Sequence, residues 1–152
     1  MKSILTGLVA ALISVSAMAQ DYGAAQAEVR TAIKAFNAAY AGNDVDAYFD
    51  HYATDAMVYF YGARQDLSAY HEEWAEMVEA GGEVEKNELS DVQVQVMPSG
   101  DVVVASYFVD YRLRASDGNV SMVKAFESEV WQKIGDDWKV VNLHYSEIPD
   151  DQ

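Results

Sequence analysis

The sequence predicts an α+β domain, with three helices in the first half of the chain packed on one face of an antiparallel sheet made by the second half. Three observations lead there. Val29, Ile33, Phe36 and Tyr40 recur at the spacing of one helical face. Val92, Val94 and Val96 alternate strictly with Gln93 and Gln95, as in a strand with one buried face. Asp117-Gly118 sits between two long β-prone runs, which is a strong hairpin signal.

Each element follows from local chemistry. Gly42 stops the first helix. Asp44 can cap a short second helix carrying Val45, Tyr48 and Phe49. Thr54-Asp55-Ala56 reads as a turn, and Met57 to Tyr61 as a strand. Asp66 can cap a third helix with Leu67, Tyr70, Trp74, Met77 and Val78 on one side, and Gly81-Gly82 ends it. From there the chain reads as sheet. Pro98-Ser99-Gly100 turns the Val92 to Val96 strand into Asp101 to Arg114. Asp117-Gly118 leads to Val120 to Ile134, and the last strand is Trp138 to Glu147. The chain shows no repeats and no low-complexity linker.

The N-terminus reads as an address. Met1-Lys2-Ser3 is a short basic start, Ile4 to Val15 is apolar, and Ala17-Met18-Ala19 is an A-x-A cleavage pattern. Residues 1–19 are expected to be a signal peptide cut before Gln20. The apolar run is shorter than the ~20 residues of a membrane span. Residues 20–152 are then one exported domain, periplasmic or secreted, long enough for its own core.

Composition excludes several functions. The 152 residues hold 10 Lys and Arg against 25 Asp and Glu, a formal charge of −15. Nucleic acid needs a basic footprint, and an anionic membrane surface would repel this chain. The charge serves solubility after export. With no Cys there is no disulfide, thiol nucleophile or Cys-based zinc site. His51, His71 and His144 share no ligand spacing, so no metal is expected. Gly81-Gly82 ends a helix instead of opening one, the wrong context for phosphate, and no cofactor is expected. No G-x-S-x-G elbow exists, and Ser146 lies too parallel to His144 on one strand for nucleophilic attack.

The hairpin register points to candidate side chains. A two-residue Asp117-Gly118 turn sets Ser116 opposite Asn119. Ser106 then faces Glu129, Phe108 faces Glu127 and Asp110 faces Ala125. Ser106, Phe108, Asp110, Arg112, Glu127, Glu129 and Trp131 would share one face. The closing turn leaves two registers open, one residue apart, and that step exchanges the faces of the last strand.

The end of the chain carries a family resemblance. Two strand-like runs flank Gly135-Asp136-Asp137, the second opening with Trp138 and closing with His144-Tyr145-Ser146. This block resembles the closing hairpin of the nuclear-transport-factor-2-like superfamily, in particular its SnoaL-like and calcium/calmodulin-dependent kinase II association-domain branches. Ala39 to Asp46 resembles the end of that family's first helix, and Tyr52 to Val58 resembles the start of its first strand. The resemblance spans about Ala24 to Ser146. It implies a cone-shaped cystatin-like superfold, with helices over the concave face of a strongly bent sheet. In such folds the cone is usually a ligand cavity, and the outer sheet face usually makes a dimer.

The resemblance also implies site residues. Positions matching Glu129 and Tyr145 point into the cavity of the kinase association domain. That implies Glu129, Leu143 and Tyr145 inside, with Trp138, Asn142, His144 and Ser146 on the other face. Trp138, Val140 and His144 would then form a homodimer face. That branch lines its cavity with arginine, whereas here Glu129, Tyr145 and Phe108 or a neighbour stand at the matched positions. Glu129 also resembles the second acid of ketosteroid isomerase. The position of that enzyme's base falls near Phe60, and its first-helix tyrosine falls at Ala35 or Phe36, so isomerisation by that route is not expected.

The expected ligand-binding residues are therefore Tyr40, Trp74, Phe108, Asp110, Glu129 and Tyr145. A carboxylate among aromatics should have a raised pKa and can exchange a proton near neutral pH. Glu129 has a plainer alternative as a strand carboxylate paired to Arg112, Lys133 or solvent, and the many tyrosines can equally fill a tapered core. Three functions remain open. One is an exported module that binds a small ligand or dimerises. A second is a cofactor-free isomerase, dehydratase or hydrolase using Glu129 or Asp110 as acid or base. The third is an acidic exported inhibitor or immunity factor.

Overall fold

A computed structural model describes residues 6–149, with side chains from Tyr22 onward. The expected leader, residues 1–19, lies outside the residues whose side chains are described. The elements are α1 (Thr6–Ala41), α2 (Val45–Asp50), β1 (Tyr52–Phe60), β2 (Ala63–Asp66), α3 (Leu67–Glu79), β3 (Glu83–Val96), β4 (Val102–Arg114), β5 (Val120–Ile134) and β6 (Asp137–Glu147). Among the described residues no helix is long and apolar enough to cross a membrane.

The six strands form one sheet in the order β2-β1-β6-β5-β4-β3, and the helices pack on one face of it. Every neighbouring pair is antiparallel except β1 with β6, which run parallel. Val29, Ile33 and Phe36 of α1 are sealed against Val103, Ala105, Tyr107 and Trp131 of the sheet. Burying each of the larger apolar side chains is worth roughly 1.5–3 kcal/mol.

The helix ends hold chain and sheet together. Asn43, not Gly42, takes the left-handed conformation after α1, with φ 56°. Asp44 N–H bonds Ala39 O and Asn43 N–H bonds Tyr40 O, which satisfies carbonyls the helix end leaves open. The Asn43 amide then acts as a short strand mimic toward β3. Its Oδ1 accepts from Val84 N–H at 2.7 Å, and its Nδ2 donates to Val84 O at 3.2 Å. Asp44 caps α2 through Ala47 N–H at 3.1 Å. Asp66 occupies the N-cap position of α3, but its carboxylate makes no capping bond.

Two features depart from the sequence reading. Thr54-Asp55-Ala56 is no turn: it lies within β1, in a stretch where the pairing with β6 shifts register. A further short strand, β2, follows a two-residue turn at Tyr61 and Gly62, both at positive φ. Only glycine adopts that conformation without strain, so Tyr61 is an exception.

Two loops decide which side chains face the helices. The β4–β5 loop has three residues, Ser116 to Gly118, because Ala115 N–H bonds Asn119 O and Gly118, at φ 85°, takes the left-handed position. The expected two-residue turn is therefore corrected by one step. Phe108 pairs with Phe126, Tyr107 with Glu127 and Ala105 with Glu129. The β5–β6 turn has two residues, Gly135 and Asp136, which sets Trp131 opposite Val140. A β-bulge beyond that pair then sets Glu129 opposite Leu143. Hence Trp138 and Val140 are buried on the helix side of the sheet, and so are Leu143 and Tyr145. Glu28 of α1 accepts from both Trp138 Nε1 and Lys133 Nζ at 2.8 Å, which confirms the face of Trp138. The expectation that Trp138 and Val140 lie on the outer face is thus corrected, while His144 is exposed there as expected.

Candidate functional site

Between the helices and the concave sheet face lies a cavity of about 650 Å³. Helices supply Phe36, Asn37 and Tyr40 from α1, Tyr48 from α2, and Tyr70 and Trp74 from α3. The sheet supplies Phe60, Asn87, Tyr111, Glu127, Leu143 and Tyr145. Arg64 and Glu73, both exposed, also line it. The wall is built of interlocked rings. Phe36 stacks on Tyr48 with centroids 4.5 Å apart, Tyr48 meets Trp74 edge-on at 4.6 Å, and Tyr40 lies 5.1 Å from Trp74.

The tyrosine hydroxyls satisfy one another. Tyr48 Oη lies 2.9 Å from Tyr52 Oη and 3.2 Å from Tyr70 Oη, and Tyr111 Oη lies 2.7 Å from Tyr145 Oη. Tyr145 Oη and Tyr61 Oη also donate to Glu147 Oε1. Burial pushes Tyr40, Tyr48, Tyr52 and Tyr70 up, and Tyr111 up to about 12, so all are neutral hydroxyls at physiological pH.

The acids come from β5. Glu127, Glu129 and Trp131 alternate onto the inner face because a strand has a period of two. Glu129 is 0% exposed, opposite the small Ala105. Trp131 Nε1 donates to its Oε2 at 2.7 Å, and the Tyr107 hydroxyl lies 2.5 Å from its Oε1. The same hydroxyl lies 3.1 Å from Glu127 Oε2. Tyr107 has one proton to give, so it serves one carboxyl at a time. Burial raises Glu127 to about 7. Burial first, then the charge of Glu127, raises Glu129 to about 8, against the lowering effect of Tyr107 and Trp131. Two such groups titrate as a pair, and near neutrality the pair holds about one proton.

An amide chain fixes this arrangement. Asn37 Nδ2 donates to Ile33 O at 3.0 Å and to Tyr107 Oη at 3.3 Å. Its Oδ1 therefore faces Asn87, whose Nδ2 donates to it at 2.9 Å. Asn87 Oδ1 is left buried and without a partner, as is the indole N–H of Trp74.

The expected site residues divide. Tyr40, Trp74 and Tyr145 line the cavity. Glu129 is buried as expected, but it sits behind the wall on Tyr107 and Trp131, not on Tyr40, Tyr145, Arg112 or Lys133. Phe108 and Asp110 are corrected: the one-residue loop difference places them on the outer face. There Phe108 is 40% exposed against Phe126, and Asp110 pairs with Lys86 at 3.4 Å. Glu127 is a cavity acid that the sequence reading set on the face of Glu129 but left out of the expected ligand-binding residues. Its signal was the two-residue spacing from Glu129 on one strand. Among the described residues no cluster of three metal-ligating side chains forms.

Three helices closing an aromatic cone over a bent sheet define a nuclear-transport-factor-2-like domain of cystatin-like fold. The chain belongs to the SnoaL-like domain family, whose model matches residues 29–151. Solved structures share the fold. An NTF2-like protein of unknown function in nutrient uptake from Rhodospirillum rubrum is 18% identical, with TM-score 0.70, over 80% of this chain and 98% of that one. A CaMKII hub homology domain from Chlamydomonas reinhardtii is 21% identical, with TM-score 0.67, over 82% and 98%. A cystatin-like protein of unknown function from Nostoc punctiforme is 14% identical, with TM-score 0.60, over 80% and 90%. No curated protein matches the chain.

Proposed function

We propose that this protein is an exported small-molecule-binding domain, which holds its ligand in the aromatic cone and fixes one polar end of it at Glu127. The observation that carries this reading is the cavity itself. A space of about 650 Å³, walled by rings and bearing one interior carboxyl, has the size and make-up of a ligand site. Export is supported by the basic start, apolar run and A-x-A pattern of residues 1–19. Homodimerisation through the outer face is supported by Phe108 and Phe126, packed at 5.5 Å on the side away from the helices. A related hub homology domain has the same fold.

Ligand-observed NMR with a panel of small aromatic compounds tests the reading. Binders should broaden in the presence of the protein and be displaced by one another. Leu113→Trp, which adds a ring at a half-buried lining position, should abolish the effect. A panel without binders, together with a crystal structure showing the cone filled by its own side chains, would overturn it. A second reading is proton-transfer catalysis, favoured by the two carboxyls that the Tyr107 hydroxyl bridges beside the cavity. Solvent deuterium appearing in a ketone incubated with wild-type protein, but not with Glu127→Gln, would establish that reading.

A further inference from the structure

We propose that the ligand is an organic cation, an amine or quaternary ammonium on an apolar body, held by aromatic faces with Glu127 as its counter-ion. The inference rests on the cone being a ligand site. Ring faces carry partial negative charge, and a cation without its water shell is attracted to them. Tyr40, Tyr48, Tyr70 and Trp74 present such rings from three helices, and Tyr111 and Tyr145 close the opposite side. Arg64 is the only basic side chain among the lining residues, and it is exposed. The interior thus holds acids with no cation to neutralise them. An anionic ligand would meet Glu127 and, behind it, Glu129. A neutral apolar ligand would leave Glu127 with no partner but the Tyr107 hydroxyl that it shares with Glu129.

The built-in hydrogen bonds point the same way. Asn37 is committed to Ile33 O, so Asn87 must turn its donor toward Asn37 and keep a bare oxygen. Toward the cone the sheet also turns the Tyr111 and Tyr145 hydroxyls, which bond each other, and the carboxyl of Glu127.

Charge balance gives the inference a signature. Without ligand, the pair keeps a proton because nothing compensates its charge. A bound cation compensates it, Glu127 ionises, and the proton passes to the solvent. The groups around Glu127 are Tyr40 on α1, Tyr48 on α2, Tyr70 on α3, Tyr52 on β1, Tyr107 and Tyr111 on β4, Tyr145 directly opposite it on β6, and Glu129 on its own strand. The tyrosines stay neutral below pH 9, so only the two glutamates exchange protons in the range. Arg64 and Glu73 are the other ionisable side chains of opposite sign among the lining residues.

Titration calorimetry of the full domain with benzyltrimethylammonium, its uncharged isostere neopentylbenzene, and phenylacetate tests this. The cation should bind at least roughly tenfold more tightly than either comparator. Its affinity should rise from pH 5 to about 7 and then level off. Repeating the titration at pH 6 in buffers of different ionisation enthalpy should show release of close to one proton. Glu127→Gln, isosteric and uncharged, should lose both the preference and the release. The wild-type pH profile and proton count decide the matter even if that variant fails to fold. Equal, pH-independent binding of cation and isostere would overturn the cation assignment and leave the ligand site standing. Failure of the two ions to bind at millimolar concentration, and of the isostere up to its solubility limit, would overturn both.

Discussion

The hydroxyl of Tyr107 bridges the two inner acids, 2.5 Å from Glu129 Oε1 and 3.1 Å from Glu127 Oε2. This bond joins the buried part of the site to the part that lines the cavity. It exists because Tyr107 sits directly opposite Glu127 in the β4–β5 ladder and reaches along the strand to the next inward position.

Tyr107→Phe should therefore cost stability without emptying the core. It removes one of the two donors to Glu129 and leaves a buried acid less satisfied, a loss of about 1–3 kcal/mol. It should also raise the titration of the pair further, because the lost bond favours the charged form. Urea unfolding at pH 5 and pH 8 checks both points. The destabilisation should be larger at pH 8, where the pair is charged.

The wild-type protein should be less stable at pH 8 than near pH 5. Glu127 and Glu129 are raised in the folded state to about 7 and about 8, whereas in the unfolded chain they titrate near their ordinary value of 4.5. Below that value both states are protonated and the acids cost nothing. Between it and about pH 8 the unfolded chain has already released protons that the folded one still holds, so stability falls as pH rises. The loss is on the order of a few kcal/mol and ends above about pH 8. Glu129→Gln should flatten much of this slope. An unchanged slope in that variant would assign the effect to the general acidity of the chain instead.

Phe108→Glu should fold normally and lower the oligomeric state. Phe108 is 40% exposed on the outer face, so a charge there costs the monomer little but opposes a dimer made through that surface. Light scattering at micromolar concentration should show a dimer for wild type and a monomer for the variant. Identical masses would remove this face as the interface. Trp138→Glu is not an equivalent test, because Trp138 is buried beside α1 and that variant should unfold.

These residues also show how much the sequence could reveal. The helical face of Val29, Ile33 and Phe36 and the alternation of β3 carried the α+β architecture, since period alone identifies such elements. The closing block from Glu129 to Ser146 carried the family and the inward direction of Glu129 and Tyr145. Face assignment on β4 failed because it hung on one loop. Asp117-Gly118 fits a two-residue turn, and it fits equally a three-residue turn with Gly118 in the left-handed position. The second outcome moved Phe108 and Asp110 out and Tyr107 in. On β6 the bulge beyond Trp131 turned both Trp138 and Tyr145 inward, which no strict alternation allows. The tie between Asn37 and Asn87 joins α1 to β3 and left no local signal at all.

The central claim is that a proton-holding carboxyl pair, Glu129 buried and Glu127 half-buried, stands at an aromatic ligand cavity. Carbon-detected NMR of the glutamate side-chain carboxyls, followed from pH 4 to pH 9 in the ligand-free protein, tests it most directly. Two carboxyls should titrate near 7 and 8 as a coupled pair; Glu127→Gln should remove one transition and lower the other, and Tyr107→Phe should move both up. If every glutamate instead titrates near its ordinary value, the pair is solvated and charged at neutral pH, and the proposed site is contradicted.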